Sequence, residues 1–183
     1  MLRGKELWLA ALAAIIIGGI YALVVFLTRE IPHAGDLFGH SLGIIGFILM
    51  LLTEILYSLR KRSRSAKWGR MSSWLEFHIF TGLVGPFMVL LHTSWKFNGL
   101  AGVTTLFTVV IVISGLVGRY IYTRIPRTLD GTEIEGTLSE AALRSARRLM
   151  ALWHTVHIPI GMALFVASFV HIGAALYYAT FLK

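Results

Sequence analysis

Four histidines in two long apolar segments are the residues of this chain best suited to chemistry. The segments are HIFTGLVGPFMVLLH, from His78 to His92, and HIPIGMALFVASFVH, from His157 to His171. Both read His-Ile-x-x-Gly, then nine residues, then a second histidine, and the two copies are offset by 79 residues throughout. Ionisable groups inside such segments are costly and are functional candidates by default. Their repetition at one spacing indicates a shared task.

The spacing places both histidines of a segment on one face of a helix. At about 100° per residue, the separation falls roughly 40° short of four turns and rises about 21 Å. If the two helices are parallel and face each other, His78 meets His157 (the inner pair) and His92 meets His171 (the outer pair). Two facing imidazoles can fill both axial positions of a haem iron. The spacing therefore predicts two stacked, non-covalent haem b groups. A zinc site or proton path is the main alternative, but zinc prefers clustered ligands.

Several other residues are candidates for the surroundings of the haems. Gly82 and Gly161 lie one turn from the inner histidines and would leave room for a porphyrin face. His154 is an alternative to His157 as ligand, or a partner for a haem propionate. His40 could touch the propionate of the outer haem or a quinone, although a simple interfacial histidine explains it as well.

Charged residues near the inner ends of the apolar segments have two interpretations each. Arg119, Arg124 and Arg127 follow one another in GRYIYTRIPR. One of them, with Arg119 as the first candidate, could bind a propionate of the inner haem, whereas lipid phosphate explains most such arginines. Glu54 could relay protons or reach the lipid headgroups.

The composition indicates a membrane protein. Of the 183 residues, 56% are hydrophobic and only 14% are charged, and there is no cysteine, whereas roughly a quarter of a soluble domain is charged. The absence of cysteine excludes thiolate metal sites and a covalently attached haem. The net charge of +8 is confined to the connections between apolar segments, so we expect it to face lipid headgroups and not nucleic acid.

Five apolar segments are long enough to cross a bilayer as helices, at about 7–28, 38–59, 72–95, 101–123 and 154–180. Fourteen of the 17 basic residues lie at the N-terminus and in the connections after the second and fourth segments. Because basic residues collect on the cytoplasmic side, we predict a cytoplasmic N-terminus and an outer C-terminus. Thr137 and Glu140 resemble a capping box, so a short interfacial helix is expected before the fifth segment. The fold class is an all-α, single-domain, five-helix membrane bundle over 1–183.

On the residues His78, His92, His157 and His171, the sequence resembles the ferric-reductase-like transmembrane cytochrome b superfamily, over roughly 38–180. The resemblance implies two haems between two helices, each helix giving two histidines. The b-type subunits of membrane hydrogenases and formate dehydrogenases are an alternative. Complete reductases of the superfamily continue into a flavin- and nicotinamide-binding region. No Gly-x-Gly-x-x-Gly loop follows a strand in this sequence, so we expect electrons to arrive and leave through partners or a diffusible carrier.

These patterns predict a dihaem electron-transfer subunit of a larger redox complex in the bacterial cytoplasmic membrane. Its partners would be cytochrome, iron–sulfur or flavin proteins on one or both membrane faces. A cytochrome b subunit that reacts with quinone or quinol, with His40 or Glu54 lining the site, is the first alternative. A haem-free transporter or structural anchor is the second.

Overall fold

The structure is a computed structural model that describes residues 4–62, 69–125 and 139–181. These ranges form five helices and no strand: α1 (Lys5–Thr28), α2 (Leu37–Arg62), α3 (Met71–His92), α4 (Gly99–Thr123) and α5 (Glu140–Phe181). All five are long and apolar enough to cross a membrane. The prediction of an all-helical, five-span membrane protein is therefore confirmed.

Large apolar side chains cover the outer faces of the bundle. Ile15 of α1, Leu106 of α4 and Val166 of α5 are 71%, 62% and 64% exposed. A soluble monomer rarely exposes so much contiguous apolar surface. The surface fits hydrocarbon, where such side chains carry no hydration cost.

Helix α3 lies at the centre of the packing, against α1, α2 and α4, while α5 packs on α4. The contact between α2 and α3 is the most extensive of these. It is close because two glycines meet, since a Cβ added to Gly46 would lie 2.8 Å from the carbonyl oxygen of Gly85. Small residues allow this approach of helix backbones in membranes.

Helices α3 and α5 do not touch through their backbones. Within the described ranges, no Cα atom of α3 lies within 8 Å of a Cα atom of α5. Side chains bridge the bundle elsewhere, since the ring of Phe47 on α2 lies 6.3 Å from that of Phe165 and 5.5 Å from that of Phe169, both on α5. The two histidine-bearing helices are thus separated by an interhelical space.

Helix α5 differs from the sequence prediction in its start. It runs unbroken for 42 residues from Glu140, about 63 Å, or twice the thickness of a hydrocarbon core. The prediction of a separate interfacial helix is wrong, because the residues from Glu140 to Ile158 contain no glycine or proline to end a helix. Ser139 caps it, accepting from the backbone N–H of Ala142 at 3.3 Å, whereas Thr137 lies outside the described residues.

Helix α3 ends earlier than its apolar segment. The segment was predicted to extend to residue 95, but the helix ends at His92. Ser94 and Trp95 adopt positive φ angles of 51° and 61°, which no right-handed helix can contain. The hydroxyl of Ser94 donates to the carbonyl of Pro32 at 2.6 Å, so the two outer connections are held together just beyond the outer histidine pair.

Candidate functional site

The structure brings the four histidines together as two pairs across the space between α3 and α5. His157 interacts electrostatically with His78, and His171 interacts electrostatically with His92. The partners are therefore those that the fourteen-residue spacing predicts.

Three of these imidazoles are anchored through Nδ1 by a neighbouring helix. Nδ1 of His92 lies 2.8 Å from the carbonyl oxygen of Gly39, and Nδ1 of His78 lies 3.3 Å from that of Thr53. A carbonyl oxygen only accepts, so Nδ1 carries the proton in both rings and Nε2 keeps its lone pair. Histidines that ligate metals show this arrangement almost without exception.

The third anchored imidazole is that of His157, whose Nδ1 lies 3.0 Å from the hydroxyl oxygen of Ser114. The indole of Trp153 stacks on the same ring, with centroids 4.5 Å apart and planes 27° apart. The Trp153 Nε1–H donates to the backbone carbonyl of Ser114 at 2.7 Å. His157 and Trp153 thus both form a hydrogen bond with Ser114 of α4. These two bonds and the stacking of the rings fix the ring plane of His157.

Glycines make these anchors possible. A Cβ added at Gly43 would lie 2.8 Å from Cγ and Nδ1 of His92, and one added at Gly118 would overlap the indole of Trp153. In the sequence alone, both glycines are compatible with ordinary packing between membrane helices. Gly39, Gly43 and Gly46 are spaced along one face of α2 and so predict a groove on that face. The spacing does not reveal which side chain occupies the groove.

A cavity of about 390 Å³ lies at the outer pair. His92 and His171 line it together with His33, Lys96 and Thr104. The volume falls within the usual range of small-molecule pockets. His33 lies in the connection between α1 and α2 and reaches this cavity from there.

His40 also lies at the outer end. Its ring is 6.3 Å from that of His92, in an edge-on arrangement. The structure therefore places this predicted candidate beside an outer ligand candidate. Glu54, the other group predicted for a quinone site, is exposed and accepts a hydrogen bond from Ser58 at 3.1 Å.

Of the remaining predicted residues, the two glycines lie against neighbouring helices and His154 lies against a residue of its own helix. A Cβ at Gly82 would contact the methyl of Thr53 on α2 at 3.6 Å, and one at Gly161 would contact Ile111 on α4 at 3.8 Å. His154 lies beside Trp153, with ring centroids 4.8 Å apart. The idea that the two glycines leave room for a porphyrin stays a prediction.

Arg119 has a partner that the sequence analysis did not consider. Its Nε and Nη2 both donate to Oε1 of Glu6 on α1, at 2.9 and 2.7 Å. Glu6 is 2% exposed, so the pair is shielded from water. Arg124 instead lies over the ring of Tyr120, 4.6 Å from its centroid, and Arg127 is outside the described residues.

Each level of the candidate site offers two imidazoles as donors. Within the described ranges, no group of three or more His, Cys, Asp or Glu side chains could hold a metal ion. A haem needs only the two axial ligands from the protein, and each level supplies two imidazoles. Comparison with models of protein families, with curated proteins and with solved structures finds no match to this chain.

Proposed function

We propose that this chain is a dihaem b-type membrane cytochrome that carries electrons across the bilayer as a subunit of a larger redox complex. The observation that carries the proposal is the anchoring of the histidine rings. Nδ1 of His78 and of His92 is held by a backbone carbonyl of α2, which leaves Nε2 for a ligand, and Nδ1 of His157 is held by the hydroxyl of Ser114 on α4. A single intramembrane histidine is often hydrogen-bonded to a neighbouring helix in the same way, but its repetition in two histidine pairs at one spacing favours a shared ligand.

The separation of α3 and α5 supports the same conclusion. Apolar helices that face each other normally pack with axes 8–10 Å apart. Here the paired histidines of the two helices lie within electrostatic reach of each other while the helix backbones stay apart. A planar group between two imidazoles would occupy this space and replace the missing helix–helix contact.

In this proposal the chain's own residues bind, orient and shield the cofactors. A bound haem would supply one-electron chemistry at iron, and two imidazole ligands would leave no open position for substrate. The carbonyls of Gly39 and Thr53 hold two of the rings in one tautomer, Ser114 orients the ring of His157, and such bonds also tune ligand basicity. The apolar faces of the bundle exclude water and so influence the redox potential.

The rise of about 21 Å between the two histidine levels suits transfer along the membrane normal. We propose that the inner pair lies toward the cytoplasm and the outer pair toward the opposite side, from the distribution of basic residues. Redox proteins such as cytochromes, iron–sulfur proteins or flavoproteins would then deliver or collect electrons at the two faces.

Visible spectroscopy on the purified protein tests the proposal. We expect a b-type reduced-minus-oxidised spectrum and two haems per chain by pyridine haemochrome assay. His92→Ala should lose the outer haem and keep the inner one, so haem content falls from two to one. His154→Ala is the matched control and should keep both.

A colourless preparation would overturn the proposal and leave a haem-free transporter or anchor. Two haems retained in His92→Ala would show that the pairing of the histidines is wrong. If His154→Ala loses a haem while His157→Ala keeps both, His154 and not His157 is the ligand on α5 at the inner level.

A further inference from the structure

The cavity at the outer histidine pair has a basic rim, formed by His33 and Lys96. These two residues line the cavity together with His92 and His171, and they come from the two outer connections, between α1 and α2 and between α3 and α4. Both rim residues are exposed, so the cavity opens toward the outer side. None of the described residues that line it is acidic. The rim therefore favours a ligand that carries negative charge at its outward end.

Hydrogen bonds hold the two connections, and so the two rim residues, at the mouth of the cavity. Ser94 lies two residues before Lys96 and is buried. Its hydroxyl donates to the carbonyl of Pro32, the residue before His33, at 2.6 Å. The backbone N–H of His33 also donates to Oδ2 of Asp36 at 2.9 Å. The backbone beside each rim residue is therefore fixed, and the rim is a built part of the outer end.

Lys96 has no acidic partner of its own. In the part of the chain that the structure describes, no salt bridge joins its ammonium group to a carboxylate. The two residues before it, Ser94 and Trp95, both have the positive φ angles of the left-handed region. That conformation is costly for residues other than glycine, and such residues cluster at ligand sites. The chain thus accepts backbone strain where it brings an unpaired cation to the cavity.

We propose that Lys96 and His33 bind the propionate carboxylates of the outer haem, whose iron His92 and His171 would ligate. The inference deepens the proposed function and rests on it. One cavity is lined by both the histidine pair and the rim, so a single molecule can contact all four side chains. An ammonium group donates charge-assisted hydrogen bonds to a carboxylate, and a ring N–H of an imidazole is a further donor.

This assignment gives the outer haem an orientation, with its propionates toward the outer side. His40, which the sequence offered as a propionate partner, is not among the residues that line the cavity. The assignment also gives Lys96 an influence on the redox potential. Ferric haem carries one more positive charge than ferrous haem, so a cation close to it favours the reduced state.

The test uses the protein with its haems bound, in phospholipid nanodiscs, with haem labelled by carbon-13 at the propionate carboxyls. Reduced-minus-oxidised infrared spectra then identify the propionate bands, because only these bands move on labelling. In Lys96→Gln we expect the labelled bands of the outer haem to shift and its midpoint potential to fall. Transfer of the outer haem to apomyoglobin should become about two- to fivefold faster, as for the loss of an exposed ion pair. The inner haem should keep its wild-type potential.

Three variants accompany Lys96→Gln. His33→Ala should shift the same labelled bands, whereas Lys96→Arg keeps the charge and should retain the wild-type potential. Arg29→Gln is the matched control. It removes one positive charge from the connection after α1, where Arg29 lies over the ring of Phe26 and outside the cavity, and it should leave bands, potential and transfer rate unchanged. Thermal midpoint and haem content are measured on every variant, so that a folding defect is recognised.

Unshifted propionate bands in Lys96→Gln, with both haems bound, would overturn the inference. So would equal changes in Arg29→Gln, which would show a general effect of surface charge, and so would shifts confined to carboxylate bands that labelling does not move. Each of these results would leave two bound haems and the proposed function intact. A protein that binds no haem would instead refute the proposed function itself.

Discussion

The substitution Gly43→Ala adds a single methyl group and should disturb the outer histidine pair while leaving the inner pair unchanged. The added Cβ would lie 2.8 Å from Cγ and Nδ1 of His92, and carbon atoms need about 3.5 Å or more. The ring must therefore move by about 0.7 Å. Its bond to the carbonyl of Gly39 starts at 2.8 Å, so a shift of this size along the bond takes it beyond hydrogen-bond range, about 3.2 Å.

The expected loss falls mainly on the cofactor and less on the fold. Alanine gains about 0.5–1 kcal/mol over glycine within a helix, against about 1–3 kcal/mol for overpacking. The free energy of unfolding should thus fall by no more than about 2.5 kcal/mol. Disturbing a group that orients a metal ligand typically costs 10–100-fold in affinity, so the outer haem should be lost at haem concentrations that saturate the wild type.

The assay is haem content per chain together with electron paramagnetic resonance of the two low-spin ferric haems. We expect the content to fall from two toward one, with the surviving signal unchanged from the wild type. Gly173→Ala is the matched control, because a Cβ there meets nothing within 4 Å. Two haems with unshifted signals in Gly43→Ala would refute the argument that Gly39 and Gly43 hold an iron ligand.

Three further outcomes are expected. Ser114→Ala removes the hydrogen-bond partner of Nδ1 of His157 and should lower the affinity for the inner haem about 10–100-fold in a haem titration. An equal loss of affinity for both haems would contradict this prediction. Gly118→Val drives methyl groups into the indole of Trp153, so it should lower the thermal midpoint and the haem content together; an unchanged midpoint would show that this contact is dispensable. For the membrane orientation, Lys96→Cys should react with an impermeant maleimide on intact cells and Arg144→Cys only after permeabilisation, and the reverse pattern would invert the topology.

The helices were predictable because their cause is local. An apolar run of about 20 residues crosses a bilayer as a helix whatever its neighbours are, and all five runs do form helices. The ends were less predictable. The end of α3 depends on the positive φ angles at Ser94 and Trp95. The start of α5 depends on residues that favour a helix before the apolar run, as far back as Glu140.

The histidine pairs were predictable for a related reason, since helix geometry alone places residues fourteen apart on one face. What holds each ring was not predictable. The contact between His92 and Gly43 joins residues far apart in sequence, and so does that between Arg119 and Glu6. Such contacts depend on which helices pack together, and apolar periodicity carries little information on this in a helix that is apolar all round.

The hydrogen bonds that anchor the histidine rings divide the bundle into two helix pairs, α2–α3 and α4–α5. His78 and His92 on α3 are anchored by α2, and His157 on α5 is anchored by α4. The α2–α3 pair thus orients both of its imidazoles, and the α4–α5 pair orients that of His157, without help from each other. In the proposed function, the cofactors would lie between the two helix pairs, where α3 and α5 have no backbone contact.

This division explains why glycine is needed at the anchors and not at the histidines. Within each helix pair, the ring must lie in the groove between two helices, so the facing residue must be small, as Gly43 and Gly118 are. Between the pairs, a haem would provide the contact area that α3 and α5 lack. Because neither pair can form a haem site alone, binding free energy would contribute directly to association of the pairs, and the cofactor would act as part of the core of the protein.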